Sequence, residues 1–301
     1  MPAMLTRRDV LLTPLALAAV PRTILAAGKM TLCIHQNTSL RAGYRGSLEG
    51  WARAGIKHAE LTSQLLDEFL KTDSLAAARR VVSDLGMRAV SCGGERGLWE
   101  PNPDRLPALD RLKARCEQYS YFGIDRMVIP TVTTQKFTLD DYKRGVDNMR
   151  EVGETVKGFR MTAMVEFIRG TSFIATLPTA LKLTREANHP NVRPMIDVYL
   201  FWSGMSQLGD LDQVRPGEIA HVHWSDVPDV PRELLDALTR AIPGEGVAPL
   251  ARILRKLSEK GYAGPASVEL FSPEHQQADP YDLARRIRLK AEPIMRQAGV
   301  L

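Results

Sequence analysis

The 301-residue chain has only three cysteines, Cys33, Cys92 and Cys116. An odd, widely spaced set makes no disulfide framework, and no Cys-x-x-Cys pair is present to hold zinc or run redox chemistry. Aromatic residues are scarce at 6%. No Gly-x-Gly-x-x-Gly follows the first strand-like run, which weakens a dinucleotide-binding open sheet. No apolar run is long enough to span a bilayer. Nor does one sign of charge dominate: the net charge is +5, and residues 1–27 hold three arginines and one aspartate, leaving about +3 for the remainder. So weak a basic balance leaves no nucleic-acid footprint.

The composition that remains, 44% hydrophobic and 25% charged, is that of a chain able to bury a large core. Residues 1–27 read as an export signal preceding a domain over 28–301. Arg7-Arg8 resembles a twin-arginine motif and precedes the short apolar stretch V-L-L-T-P-L-A-L-A-A-V. The signal predicts a periplasmic or extracytoplasmic protein with no lasting membrane insertion. If the signal is not used, the protein stays in the cytoplasm.

From Lys29 onward, short apolar runs alternate with helical patterns. Eight runs read as strands: 30–35, 57–61, 88–92, 126–130, 162–167, 193–198, 219–224 and 266–271. Among the stretches between them, 74–86, 139–157 and 250–262 have helical spacing, the first and last stopping at a glycine. Eight alternating units predict a parallel α/β sheet closed into a single (β/α)₈ TIM barrel; a doubly wound sheet is the alternative.

The last four strand runs share a peculiarity. Glu166 in M-V-E-F, Asp197 in M-I-D-V, His223 in H-V-H-W and Glu269 in S-V-E-L each stand between two apolar residues near the strand's C-terminal end. Successive side chains of a strand face opposite ways, so the apolar neighbours face the helices and the ionisable residue faces the axis. Three carboxylates and an imidazole converging there need a compensating charge. One divalent metal ion is the simplest answer. Mn²⁺, Mg²⁺ or Co²⁺ suit the oxygen-rich set, and Zn²⁺ is compatible with it. In I-A-H-V-H-W-S-D (219–226), His221 and His223 share the inward face. His221 lies two residues, about 6–7 Å, deeper, which predicts one ligand above one structural support.

Other residues are expected near the mouth. His35 and Glu60 end the first two strands. Trp99, on the loop after the third, either stacks on a bound ring or closes the barrel edge. Asp226, just past its strand, either orients His223 as a carboxylate partner or caps a turn.

The pieces M-V-E-F, M-I-D-V-Y, H-V-H-W-S-D, R-A-I-P-G-E-G (240–246) and S-V-E-L-F resemble the xylose isomerase-like TIM barrel superfamily, the sugar phosphate isomerase/epimerase group. The likeness covers roughly residues 30–297. It implies that Glu166, Asp197, His223 and Glu269 are the metal ligands and that Arg240 lies near the substrate. It further implies a small carbohydrate substrate and proton abstraction beside a carbonyl, through an enediolate. Glu166 and Glu269 would be the acid–base pair. A lyase or dehydratase acting by β-elimination on a keto-sugar, oxidised glycoside or cyclitol is the alternative chemistry. One departure is Leu200, where epimerase-like members carry histidine in a D-x-x-H pattern. The extra histidines of the abasic-site endonucleases are missing, and the intact quartet argues against a mere carbohydrate binder. No nucleic-acid partner is expected, and the sequence leaves homo-oligomerisation open.

Overall fold

A computed structural model describes residues 28–301. The predicted export signal lies outside the described residues. Strands and helices alternate along the chain. β1 (Thr31–His35) leads through a 3₁₀ segment (Gln36–Ala42) to α1 (Gly43–Arg53), and β2 (His58–Leu61) to α2 (Ser63–Leu70) and α3 (Leu75–Asp84). β3 (Arg88–Gly93), α4 (Arg105–Ser120), β4 (Arg126–Pro130), α5 (Leu139–Lys157), β5 (Thr162–Glu166) and α6 (Leu177–Ala187) follow. The last part comprises β6 (Val192–Pro194), β7 (Ile196–Asp197), α7 (Val198–Ser203), β8 (Val222–Trp224), α8 (Leu250–Glu259), β9 (Pro265–Val268), α9 (Pro273–Gln277) and α10 (Pro280–Ala298).

All strand pairs are parallel, in the order β6-β5-β4-β3-β2-β1-β9-β8-β7. β6 and β7, at the two ends of that order, are separated only by Met195. β6 pairs with β5 and β7 with β8, so one barrel strand changes partner midway and chain continuity closes the ring. Met195 N–H still donates to the Val165 carbonyl (3.2 Å), and the next amide, Ile196, turns to His221 (3.1 Å). The expected (β/α)₈ barrel is the observed fold, with the strand expected over 193–198 divided at this switch.

The strands are apolar on both faces because helices cover the outside, as parallel sheets require. Val165, Ile196, Val222, Trp224 and Val268 are fully buried. Local signals set the helix ends. Thr138 and Asp141 form a reciprocal capping box at the start of α5. Gly86 (φ 61°) and Gly261 (φ 81°) adopt the left-handed backbone that ends α3 and α8. Gly145 lies within α5 at a cost of about 1 kcal/mol relative to alanine. A side chain there would run into the Phe173 ring, 2.6 Å from an added Cβ, and crowd the Trp99 carbonyl. Among the described residues, no helix is long and apolar enough to cross a membrane.

Candidate functional site

The C-terminal ends of β5, β7, β8 and β9 bring together the four residues expected to converge. Ligand-type atoms of Glu166, Asp197, His223 and Glu269 all lie within 4.8 Å of one another. His223 Nδ1 is 3.3 Å from Glu166 Oε1 and 3.4 Å from Glu269 Oε2. It is within ionic reach of both but aligned for a hydrogen bond with neither, so it is a buried polar atom without a partner. Such an atom facing carboxylate oxygens at the mouth of a barrel is what a cation ligand looks like. Three carboxylates and one imidazole fit a hard or borderline divalent cation.

A cavity of about 630 Å³ opens above them, lined on this side by Glu166, His223, Glu269, Arg240, Leu200 and Phe271. The facing wall comes from the end of β1 and the segments that follow β1, β2 and β3, including His35, Asn37, Thr62, Gln64 and Arg96. Such a site at the C-terminal face is where TIM barrels do chemistry.

Arg240 NH1 donates to Asp197 Oδ2 at 2.6 Å and lies 3.4 Å from Glu269 Oε2. Its guanidinium sits 5.0 Å from the ring centres of both Tyr199 and Phe271, held between two aromatic faces. Asp197 uses its other oxygen to cap α7, accepting the Leu200 N–H at 3.0 Å. Leu200 thus lines the cavity at the position where histidine was anticipated, and offers it only apolar surface.

The charges divide unevenly. Burial pushes the Glu166 carboxyl up to about 7, although His223 opposes it. Burial also pushes Glu269 up, but His223, His35 and Arg240 outweigh it and hold that carboxyl below the usual carboxylate range. Desolvation drives the His223 ring down, and Glu60 and Glu269 reverse this, leaving it well above the ordinary imidazole value. Two glutamates of identical chemistry are therefore poised oppositely.

The other expected site residues divide in the same manner. His35 lies in the cavity wall. Its Nδ1 accepts the Asn37 N–H (3.1 Å), so its remaining ring nitrogen is the one free to meet a ligand, and burial lowers its pKa. Asn37, which sequence reasoning missed, donates to Glu269 Oε1 at 3.3 Å. Its place two residues after a strand-end histidine was the available signal.

Three expectations are corrected. Glu60 is not in the mouth: it is wholly buried beneath it, its Oε2 3.0 Å from Nε2 of both His221 and His223. Trp99 does not face a substrate; it is fully buried, donates its indole N–H to the Ile129 carbonyl (2.9 Å) and packs its loop onto α5. Asp226 does not orient His223. Its carboxylate accepts the backbone N–H groups of Val227, Gly244 and Ala248, so of the two roles open to it the turn cap is the one observed. By closing that turn it fixes the segment that delivers Arg240. His221 lies below His223 as expected, fully buried, with Ser91 Oγ 3.3 Å from its Nε2.

The family model described as the xylose isomerase-like TIM barrel matches residues 49–290. The chain belongs to that family. It is similar to an inosose isomerase of Halalkalibacterium halodurans, 27% identical over 258 residues that cover 82% of this chain and 90% of the relative. A 3-dehydroshikimate dehydratase of Pseudomonas putida is 27% identical over 231 residues, covering 75% of this chain and 35% of that longer protein. A crystal structure of the IOLI protein with a bound zinc atom superposes with a TM-score of 0.83 at 22% identity, covering 90% of this chain and 99% of the other. It shares the fold.

Proposed function

We propose that the protein is a divalent-metal-dependent isomerase or epimerase of a small polyhydroxylated ketone, a sugar or a cyclitol, working by proton transfer at the carbon beside the carbonyl. The observation that carries this reading is the convergence of two oppositely poised glutamates on the unpartnered His223 Nδ1 at the floor of a substrate-sized cavity. An isomerase and a dehydratase among the relatives, both names pointing to ring ketones, and a zinc atom in a protein of the same fold support it.

Glu166, Asp197, His223 and Glu269 would hold the cation. When bound, it supplies charge to polarise the substrate's carbonyl and to stabilise the enediolate. The chain's own residues do the rest. Glu269, kept ionised by its cationic and imidazole neighbours, takes the proton from the carbon, and the C–H electron pair becomes the C=C bond of the enediolate. Glu166, the other carboxylate at the cavity floor, passes a proton drawn from solvent back to the enediolate, and Glu269 releases the one it took. Return to the opposite face inverts the centre, and return to the former carbonyl carbon shifts the carbonyl. Arg240, immobilised between Tyr199 and Phe271, holds Asp197 and Glu269 in place, and His35 offers its free nitrogen to a substrate oxygen. Leu200 and Phe271 keep the wall beside them dry.

The dehydratase relative favours a second reading with the same residues: Glu166 protonates a departing β-hydroxyl or glycosidic oxygen, making the enzyme a lyase on a keto-sugar, oxidised glycoside or cyclitol. Export through residues 1–27 would suit extracytoplasmic carbohydrate. A reporter fused to those residues should reach the periplasm and fail to do so when Arg7 and Arg8 are both replaced by lysine.

The deciding experiment incubates the protein with Mn²⁺ in D₂O and a panel of free keto-sugars, cyclitol ketones and oxidised glycosides, followed by NMR. Deuterium entering one C–H position without loss of water supports the isomerase, and an enone product supports the lyase. No exchange with any of them, or turnover of phosphorylated sugars alone, overturns both readings.

A further inference from the structure

Below the cavity floor lies a second group of chemistry-bearing side chains that the reaction itself does not use. Glu60 on β2 reaches across the barrel axis to β8, and its Oε2 lies 3.0 Å from His221 Nε2 and 3.0 Å from His223 Nε2. The two imidazoles stand edge to face, with centroids 5.2 Å apart at 81°. Glu60 and His221 have no exposed surface, and His223 has 1%. Glu60 and His223 sit on strands, β2 clamped by β1 and β3 and β8 by β7 and β9, and His221, immediately before β8, is tied down by the Ile196 N–H on its carbonyl.

We infer that Glu60 is the positioning residue that makes His223 a ligand: by accepting a hydrogen bond from Nε2 it fixes the proton there and leaves the Nδ1 lone pair aimed between Glu166 and Glu269. An ionised carboxylate can only accept, so each Nε2 facing it carries hydrogen. A neutral imidazole has one N–H, so the other nitrogen is then the donor to a cation. In His223 that nitrogen is the unpartnered Nδ1, 3.3 and 3.4 Å from the two catalytic carboxylates. The Glu60 charge also makes the ring a better donor. Carboxylate–histidine–metal arrangements gain affinity in this way.

His221 is the counterweight. Its Nε2 occupies the second approach to the same oxygen, and Ser91 Oγ backs it at 3.3 Å. A buried carboxylate satisfied by one neighbour alone would be costly; with two N–H groups on Oε2 the charge stays where His223 needs it. The lower trio could itself be taken for a cation site, since its ligand atoms cluster closely. Glu60 Oε1 and His221 Nδ1 are unpartnered there too, but the shared oxygen already accepts two N–H groups and none of Glu60, His221 or Ser91 lines the cavity through which an ion would enter.

The inference rests on the divalent cation proposed above, and the test separates the two. ¹⁵N-histidine NMR of the cation-free and Zn²⁺-loaded protein reads which ring nitrogen bears the proton, and competition with a chelator reads Zn²⁺ affinity without substrate. In the wild type, Nε2 should carry hydrogen before and after loading, and Zn²⁺ should displace hydrogen from Nδ1, which the surrounding carboxylates keep protonated in the cation-free ring. Glu60→Gln should bind Zn²⁺ about tenfold to a hundredfold more weakly, and Glu60→Asp should recover part of the loss. His221→Asn should lose less than Glu60→Gln. A His223 proton on Nδ1 with the ion on Nε2, or a Glu60→Gln protein that binds as tightly as wild type, overturns the assignment. Wild-type protein that ignores Zn²⁺, Mn²⁺ and Co²⁺ alike would overturn the metal reading instead. In that case the cation-free spectrum still decides whether Nε2 carries the hydrogen shared with Glu60, and it does so even if no variant folds.

Discussion

Glu166 with His223, and Glu60 with His221, are the same pair of residue types one layer apart in the barrel. The upper glutamate keeps 7% of its surface open to the cavity, and the lower keeps none. Above, His223 Nδ1 is left without a partner, and burial raises Glu166 to about 7. Below, the same burial acts on Glu60, but His223, His221 and His35 outweigh it and keep that carboxylate well below the usual range. Unpartnered polar atoms occur in both layers, Nδ1 of His223 above and Oε1 of Glu60 and Nδ1 of His221 below, so what separates reagent from scaffold is whether the cavity reaches them. Chemistry-bearing residue types alone do not make a site.

Four measurements would break or sharpen that contrast. Glu269→Gln should have the largest effect, because it removes the ionised carboxylate and a cation ligand together. Turnover or deuterium uptake should fall by roughly 10³-fold, and activity within tenfold of wild type would break the contrast at its upper layer. Arg240→Met should come next. It leaves Asp197 and Glu269 facing one another without their guanidinium, at a cost of about 3–5 kcal/mol in the cation-free protein, read as a lower Tm. Added Mn²⁺ should restore part of the loss. Asp226→Asn takes one accepting oxygen from the turn that carries Arg240 and should cost about 1–2 kcal/mol by denaturant titration, without loss of cation binding. Weaker binding there would tie Asp226 to His223 after all.

The pH dependence should be the mildest. Glu166 must be ionised to hold a cation, and its value in the cation-free protein is raised to about 7. Affinity should thus fall as pH drops below 7, by at most about tenfold per unit for this one proton. The sign follows from the raised value: the free protein binds a proton that the cation must displace. Isothermal titration between pH 5.5 and 7.5 would show it, and affinity that rises on acidification would contradict it.

Most of the site was legible because it depends on alternation. An ionisable residue between two apolar ones in a strand can face only the axis, and this placed Glu166, Asp197, His223 and Glu269 correctly. The same rule placed His221 below His223. It could not place Glu60, because the level a side chain reaches across a barrel depends on strand stagger, which no single strand records. Trp99 and Asp226 failed for another reason. Both follow strand ends, where period no longer constrains direction, and each is fixed by long-range backbone partners, Ile129 for one and Gly244 and Ala248 for the other. The helices over 74–86, 139–157 and 250–262 showed their spacing and stop signals. α10 lies beyond those three stretches, and the division of β6 from β7 depends on neighbours in space.

The three cysteines have a consequence for handling. All are buried thiols, and burial is the first cause pushing each upward, Cys116 to about 12 and the other two well above the ordinary thiol range. Since the thiolate is the reactive form, none is primed for disulfide exchange or oxidation while the barrel is folded. Thiol-directed oxidants and reductants should therefore leave the folded barrel unchanged and act on it only where it opens.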